Sequence, residues 1–467
     1  MSASNTPDTS EAIHQDLAKR DLAHVWHPCT QMKDHEDFPI IPIKSGQGVW
    51  LHDFEGNRYL DGISSWWVNL FGHANPAISE AIKQQADTLE HVLLAGFSHE
   101  PVIRLSERLA QLTPAGLEKC FYADNGSSAV EVALKMSFHY FHNIGEKKKT
   151  KFVALKNSYH GETLGALSVG DVELYKEIYQ PLLLDVITVE GADSYDQLAD
   201  ESSADFAVRK FVAMEQLLSQ QHDEICAVIV EPLVQCAGNM RMYPAEYLTL
   251  LREACDRYGV HLIADEVAVG FGRTGTLFAC EQAEISPDFM CLSKGLTGGY
   301  LPLSVVVTTE NIYQAFYGDY AGMKAFLHSH SYTGNALACA AALATLDQFE
   351  QRNTIQANQK LIAKIKACGE RFRDHPNVGH IRQTGMIFAI ELVADKTTRE
   401  PFPWQQRRGL RAHRYALEQE LLLRPLGNVI YFMPPYVITE AEIEWVFDIM
   451  ACLLYTSDAA DESLRVD

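Results

Sequence analysis

His261-Leu262-Ile263-Ala264-Asp265-Glu266-Val267, followed by Phe289-Met290-Cys291-Leu292-Ser293-Lys294, decides how this chain reads. Each stretch is a short, nearly continuous apolar run ending on polar groups, the pattern of a strand buried on both faces. Asp265 and Lys294 therefore both emerge at strand C-terminal ends, where open α/β sheets place their ligands. A carboxylate and an amine delivered to one crevice suit pyridoxal 5'-phosphate. The lysine amine joins the cofactor's aldehyde covalently, and the aspartate keeps the pyridine nitrogen protonated so that the ring accepts electrons.

Outward from that pair, the apolar runs at 120–123, 152–155, 227–230 and 304–307 alternate with helical patterns. The alternation predicts an α/β large domain over 80–346, a mostly parallel sheet with helices on both faces. The stretches 48–51 and 58–61 flank Asp53-Phe54-Glu55-Gly56-Asn57, whose turn chemistry predicts a hairpin. Residues 353–375 read as an amphipathic helix and 386–391 as a strand, so 1–79 and 347–452 are expected to form one smaller α+β domain. The segment 191–206 reads as an acidic surface excursion. Residues 453–467 lose the periodicity of the helical pattern at 441–452 and are expected to be a non-native or disordered tail.

Composition narrows the function classes. A chain of 467 residues with 47% hydrophobic and 21% charged residues is an ordinary soluble globular protein. A formal net charge of −22 argues against a nucleic-acid partner. The basic run Lys147-Lys148-Lys149 with Lys151 reads as a solvated loop. Residues 1–20 have neither the apolar core of a secretory signal nor the arginines of a transit peptide, and no run is long enough to span a membrane. The ten cysteines are dispersed without metal-type spacing, which fits reduced cytoplasmic thiols and no metal site.

Several other residues allow two readings. Asn125-Gly126-Ser127-Ser128 follows a strand and opens a helical stretch, so it either caps an ordinary helix or binds a phosphate at the helix dipole. Tyr159 either packs on the domain or stacks on a flat cofactor ring, while a structural role is the default for His160. Of the adjacent pair Trp66 and Trp67, at least one is expected in the core, and the other lines either the core or an apolar substrate pocket. Arg424, within Leu421-Leu422-Leu423-Arg424-Pro425, needs a carboxylate partner, from either an internal ion pair or a substrate.

Taken together, these motifs resemble the class III aminotransferases of fold type I, over roughly His24 to Ile449. Supporting stretches are Trp26-His27-Pro28, Asp61-Gly62-Ile63-Ser64-Ser65-Trp66-Trp67, Gly238-Asn239-Met240-Arg241, Gly270-Phe271-Gly272-Arg273-Thr274-Gly275 and Tyr431-Phe432-Met433-Pro434-Pro435. The resemblance implies that Lys294 carries the cofactor and shuttles the proton, that Asp265 pairs with the ring nitrogen, and that Tyr159 and Val267 sandwich the ring. It implies that Gly126 and Ser127 hold the phosphate, joined by Ser331 from the neighbouring subunit of a homodimer. Trp66 and Trp67 would line the substrate channel, Arg424 would hold the acceptor's far carboxylate, and Arg273 would lie near the entrance.

The double tryptophan and Arg424-Pro425-Leu426-Gly427 are the selective motifs. They imply amination of 8-amino-7-oxononanoate in biotin synthesis, with S-adenosylmethionine the favoured donor and lysine the donor of some relatives. Three residues depart from the pattern: Cys29 replaces a tyrosine, Glu162 an aspartate and Ser331 a threonine. The first two bear on the donor. A general ω-aminotransferase is the alternative, although such relatives often carry Gln where this chain has Ala268. A cofactor-binding regulatory module would bring a DNA-binding domain, and no basic helix-turn-helix pattern is visible.

Overall fold

A computed structural model describes residues 9–463, with side chains for 10–454. The central sheet has seven strands: β1 (Leu117–Ala123), β2 (Lys151–Leu155), β3 (Val186–Val189), β4 (Ile225–Val230), β5 (His261–Asp265), β6 (Phe289–Leu292) and β7 (Ser304–Thr309). Their spatial order is β1-β7-β6-β5-β4-β2-β3. β5 lies parallel to β4 and β6, and β2 parallel to β3 and β4. β7 alone in this sheet is reversed, antiparallel to β6 and β1. Six strands therefore end on the same edge of the sheet, and β7 begins there.

Every residue of β4, β5 and β6 is buried, which is why those runs lack the alternation of a half-exposed strand. Ile263, Cys291 and Val306 face the core under the helix α1 (Gly126–Asn143), while Leu262, Ala264, Met290 and Val305 face the larger core on the other side. Truncating Ile263 to alanine removes packing from a site with no exposure and costs about 2–5 kcal/mol. β3, which the apolar-run reading does not include, is an edge strand with one buried residue.

The chain ends pair with each other. Trp50–Asp53 and Arg58–Asp61 form the expected hairpin, its turn held by the Asp53 carboxylate, which accepts from the N–H groups of Glu55 and Asn57 at 2.9 Å. Leu421–Leu422 then adds in parallel, with Leu421 opposite Leu60. Val378–Thr384, Ile387–Asp395 and Val429–Phe432 form a second sheet, covered by the helices Thr354–Gly369 and Glu440–Ser463.

The structure differs from the sequence reading in three places. Within 191–206, the helix Ser203–Gln221 has already begun, and Phe206 is fully buried. Lys149 is not solvated: it is buried, and its Nζ donates to the carbonyls of His222 and Ile225 at 2.6 and 3.1 Å, capping the end of that helix. At the other end, the helix that begins at Glu440 does not stop at 452 but runs to Ser463, with Leu453 and Leu454 buried. Residues 464–467 of the expected tail lie outside the described residues, as do 1–8 of the polar N-terminal segment 1–20; Thr9–His24 is helical. Among the described residues, no helix is long and apolar enough to cross a membrane.

Candidate active site

A cavity of about 450 Å³ opens at the C-terminal edge of the central sheet. Its wall takes one contribution from each of several strand ends: Asn125 and Gly126 after β1, Tyr159 after β2, Glu231 after β4, Asp265 from β5 and Lys294 after β6. The loop leading into the reversed strand β7 closes the wall. Parallel strands with one reversal thus converge these residues from five separate strand ends on a single crevice.

Lys294 is in the left-handed region, with φ of 44°. Its amine lies 4.4 Å from the Trp67 ring centroid, and no hydrogen bond or ion pair holds it among the described residues. Burial pushes the amine below its ordinary pKa, against the opposing pull of Cys236, Asp265 and Glu231. Asp265 is held from two sides: Oδ2 lies 2.7 Å from Nδ1 of His160, and Oδ1 accepts from the Val267 N–H at 3.1 Å. The assignment that satisfies Asp265 puts a proton on His160 Nδ1. The other ring nitrogen, Nε2, is buried without a partner among the described residues.

Glu231 is a second buried carboxyl, pushed well above its ordinary pKa by burial and then by Asp265. It accepts from the N–H groups of Tyr159 and Cys236 at 2.9 and 3.0 Å, fixing the backbone that carries the Tyr159 ring.

The helix α1 points its N-terminus at the cavity, and its first-turn N–H groups have no partners within the helix. Asn125 caps it, accepting from the Ser128 N–H at 3.1 Å. Gly126 is required by close approach: a Cβ there would lie 2.7 Å from Cγ1 of Val267. Ser127 Oγ accepts from the Glu162 N–H at 3.3 Å, tying the helix start to the loop after β2.

A chain of contacts leads from the cavity to the surface. The Tyr159 hydroxyl donates to Glu162 Oε1 at 3.0 Å, and burial followed by Glu162 raises its pKa. The thiol of Cys29, an exposed residue, has its pKa raised by partial burial and then by Glu162, and lies 3.9 Å from the same oxygen. Arg424 donates from Nη2 to the Cys29 carbonyl at 2.7 Å and lies 4.8 Å from the Trp66 ring centroid. No carboxylate among the described residues pairs with Arg424, so the internal ion pair allowed by the sequence does not form.

Trp66 and Trp67 divide as expected. Trp67 is buried against Tyr431, with its Nε1 donating to the hydroxyl at 3.1 Å, whereas Trp66 is 39% exposed. The backbone achieving this is not a strand. Ser64, Ser65, Trp66 and Trp67 have φ of 52, 47, 74 and 72°, a left-handed turn without glycine. Such a conformation costs roughly 1–2 kcal/mol per residue, so its surroundings must hold it.

Arg273 is not at an entrance. It is 1% exposed, and its guanidinium donates to the carbonyls of Pro434, Trp67 and Asn69 at 2.7, 3.3 and 3.1 Å. Tyr436 lies beneath it, 5.1 Å to the centroid. Burial lowers its pKa against the opposing pull of Tyr436, Asp61 and Cys236, and its direct hydrogen bonds all go to carbonyl oxygens among the described residues. Ser331 is exposed outside the cavity, its carbonyl accepting from His91 Nε2 at 2.7 Å.

Glu231 and the Asp265 contact of His160 are absent from the sequence reading. Glu231 had a usable signal, since it is an acid directly ending an apolar strand, as Asp265 is. His160 had none, because its partner lies 105 positions away. Among the described residues, His14, Asp53 and Glu55 offer ligand atoms within 4.8 Å of one another, but Asp53 already accepts from Glu55, Asn57 and Tyr59.

A seven-stranded sheet with Lys294, Asp265 and a helix start at one edge defines a vitamin B6-type transferase site, and comparison with known proteins places the chain more narrowly. The Aminotransferase class-III family matches residues 31–454, so the chain belongs to that family. It is 52% identical over 437 residues to the adenosylmethionine-8-amino-7-oxononanoate aminotransferase of Helicobacter pylori, covering 92% of this chain and 96% of that one. Identity to the enzyme of the same name from Aquifex aeolicus is 42% over 437 residues, covering 92% and 95%. Among solved structures, the adenosylmethionine-8-amino-7-oxononanoate aminotransferase of Methanocaldococcus jannaschii superposes with a TM-score of 0.90 at 40% identity, covering 95% of this chain and 99% of that one. An ω-transaminase of Pseudomonas jessenii in complex with PMP superposes at 0.89 with 29% identity, covering 94% and 98%.

Proposed function

We propose that this chain aminates 8-amino-7-oxononanoate to 7,8-diaminononanoate in biotin synthesis, using pyridoxal 5'-phosphate and taking the amino group from S-adenosylmethionine. The observation that carries the acceptor assignment is Arg424, a guanidinium without an acid partner among the described residues, lying over Trp66 at the outer end of the path from the cavity. An acceptor with an amino-ketone at one end and a carboxylate at the other fits such a path.

The residues fit the cofactor by size and chemistry. A helix start whose first-turn N–H groups have no partners within the helix suits the phosphate, the Asp265 carboxylate suits a ring nitrogen, and the Lys294 amine, unbonded among the described residues, suits an aldehyde carbon. When bound, the cofactor supplies the electron sink that makes the donor's α-proton removable.

The protein's own work is positioning and proton transfer. The lowered pKa of Lys294 favours the neutral amine, which accepts a proton from the donor carbon and returns it on the cofactor side. His160 orients Asp265, and Glu231 fixes the Tyr159 backbone so that the tyrosine and Val267 bracket a flat ring. Trp67 excludes water from the Lys294 amine. At the mouth, Arg424 orients the acceptor, while Glu162 and Cys29 border the donor's approach. Arg273, buried behind the wall, fixes Trp67 through its carbonyl and does not meet substrate.

A homodimer completes this reading. The segments 90–97 and 330–335 meet through His91 and Asn335 and leave Leu93, Phe97 and Tyr332 exposed beside Ser331. A second copy covering these residues brings Ser331 to the neighbouring cofactor phosphate. The free cysteines fit the cytoplasm. Coupled assays offering the oxononanoate, pyruvate and oxoglutarate as acceptors, each with S-adenosylmethionine or lysine, test the assignment. Turnover restricted to pyruvate or oxoglutarate would reject it.

A further inference from the structure

We infer that Asp61 is a positioning residue for the acceptor, because its buried carboxylate holds the left-handed turn that displays Trp66 beneath Arg424. The inference rests on the acceptor reading above. Asp61 has no exposure, and both its oxygens are committed to this turn or to His73. Oδ1 accepts from the Ser65 N–H at 2.8 Å, and Oδ2 accepts from the Ser65 hydroxyl at 2.7 Å and from His73 Nε2 at 2.9 Å. His73 is oriented in turn by Asn69, whose Nδ2 lies 3.1 Å from His73 Nδ1. The network assigns the proton to Nε2, which makes His73 a donor to Asp61 and an acceptor from Asn69.

The two tryptophans are not held alike. Trp67 has its own anchors, an indole N–H on Tyr431 and a carbonyl on Arg273. Among the described residues the Trp66 indole has no hydrogen bond; besides its contact with Arg424, what fixes it is the turn itself, gripped by Asp61 through the Ser65 N–H and hydroxyl and by the Met433 carbonyl, which accepts from Ser64 Oγ at 2.8 Å. Four successive residues with positive φ and side chains would relax if released. Loss of the Asp61 grip therefore swings Trp66 away from Arg424 while leaving Trp67 over Lys294. The acceptor's outer half loses its seat, and the chemistry at Lys294 does not.

The test uses the holoenzyme with Asp61→Ala, and Asp61→Asn as the conservative change that keeps one acceptor for the Ser65 N–H. Cofactor titration by absorbance and hydrogen exchange read by mass spectrometry need no turnover. The donor and acceptor half-reactions are followed separately. For Asp61→Ala, the expected result is unchanged cofactor absorbance, at least roughly 10-fold faster exchange confined to 63–69, and an acceptor KM raised about 10- to 100-fold. The donor half-reaction should stay within about 3-fold, because its machinery is untouched. Asp61→Asn should shift the same two readouts by about 3- to 10-fold, and it decides the matter if the alanine variant does not fold. Wild-type exchange over 63–69 with a wild-type acceptor KM would overturn the inference, as would equal losses in both half-reactions. Should the wild-type enzyme not use the oxononanoate at all, the acceptor reading fails, and the exchange of 63–69 still reports whether Asp61 holds the turn.

Discussion

Replacing Arg424 with alanine should separate the two halves of the reaction. Among the described residues the guanidinium makes one hydrogen bond, to the Cys29 carbonyl, and its other donors are free to meet a carboxylate. Hydrogen bonds to charged groups contribute about 1.5–3 kcal/mol each. Arg424 is only half-buried, so solvent screening brings the expected loss to about 1.5–2 kcal/mol for the pair. That corresponds to a roughly 10- to 30-fold fall in kcat/KM for the acceptor. Arg424→Lys keeps the charge but loses the planar fork and the stack on Trp66, so it should fall between wild type and alanine. Rapid-mixing absorbance gives each half-reaction separately, and the donor half should change by less than about 3-fold. The methyl ester of the acceptor completes a cycle: it should lose the same factor with wild type and nothing further with Arg424→Ala. Equal losses in the two halves, or a wild-type enzyme indifferent to the ester, would refute a carboxylate-binding Arg424.

Lys294→Ala should fold, show no visible absorbance from covalently held cofactor and fail to transaminate; normal turnover would remove the assignment. Gly126→Ala places a Cβ against Val267 in the cradle and should weaken cofactor binding at least about 10-fold, read by absorbance titration. The Lys294 amine also predicts a pH dependence. Its pKa is lowered in the fold from 10.5, so the unfolded chain binds more protons in the interval just below 10.5, and cofactor-free protein should become more stable as pH rises through it. Lys294→Met should flatten that slope in thermal melts, and an unchanged slope would assign it to another group. Mixing inactive Lys294→Ala with inactive Ser331→Asp should restore activity through hybrid dimers if Ser331 serves the neighbouring site, and mixtures that stay dead would argue against a shared site.

What the sequence makes visible follows from which forces leave a local signature. β5 and β6 are buried on both faces, so their apolar runs are unbroken, and the polar residues at their ends locate the crevice. β3 is an edge strand with partly exposed residues, and nothing in its four residues exceeds the background. The Asn125 cap is local chemistry and reads directly, since its partner is three residues on. Long-range satisfaction is not local: the buried Arg273 is explained only by carbonyls from 67, 69 and 434, and Lys149 only by carbonyls from 222 and 225. The left-handed turn at 64–67 is invisible for a further reason. Positive φ is ordinarily signalled by glycine, asparagine or aspartate, and here serine and tryptophan adopt it, with Asp61 holding Ser65 and the Met433 carbonyl holding Ser64.

The pairing of Leu421 with Leu60 has a consequence for biogenesis. A ribosome adding about 5–20 residues per second delivers the partner of the Arg58–Asp61 edge only after on the order of tens of seconds. Until then the nascent chain presents a bare strand that carries Leu60 and is followed by Ile63 and Trp67, a template for association with other chains. Yield in the cell should therefore depend on holdase chaperones and on growth temperature more steeply than the finished protein's melting point would suggest.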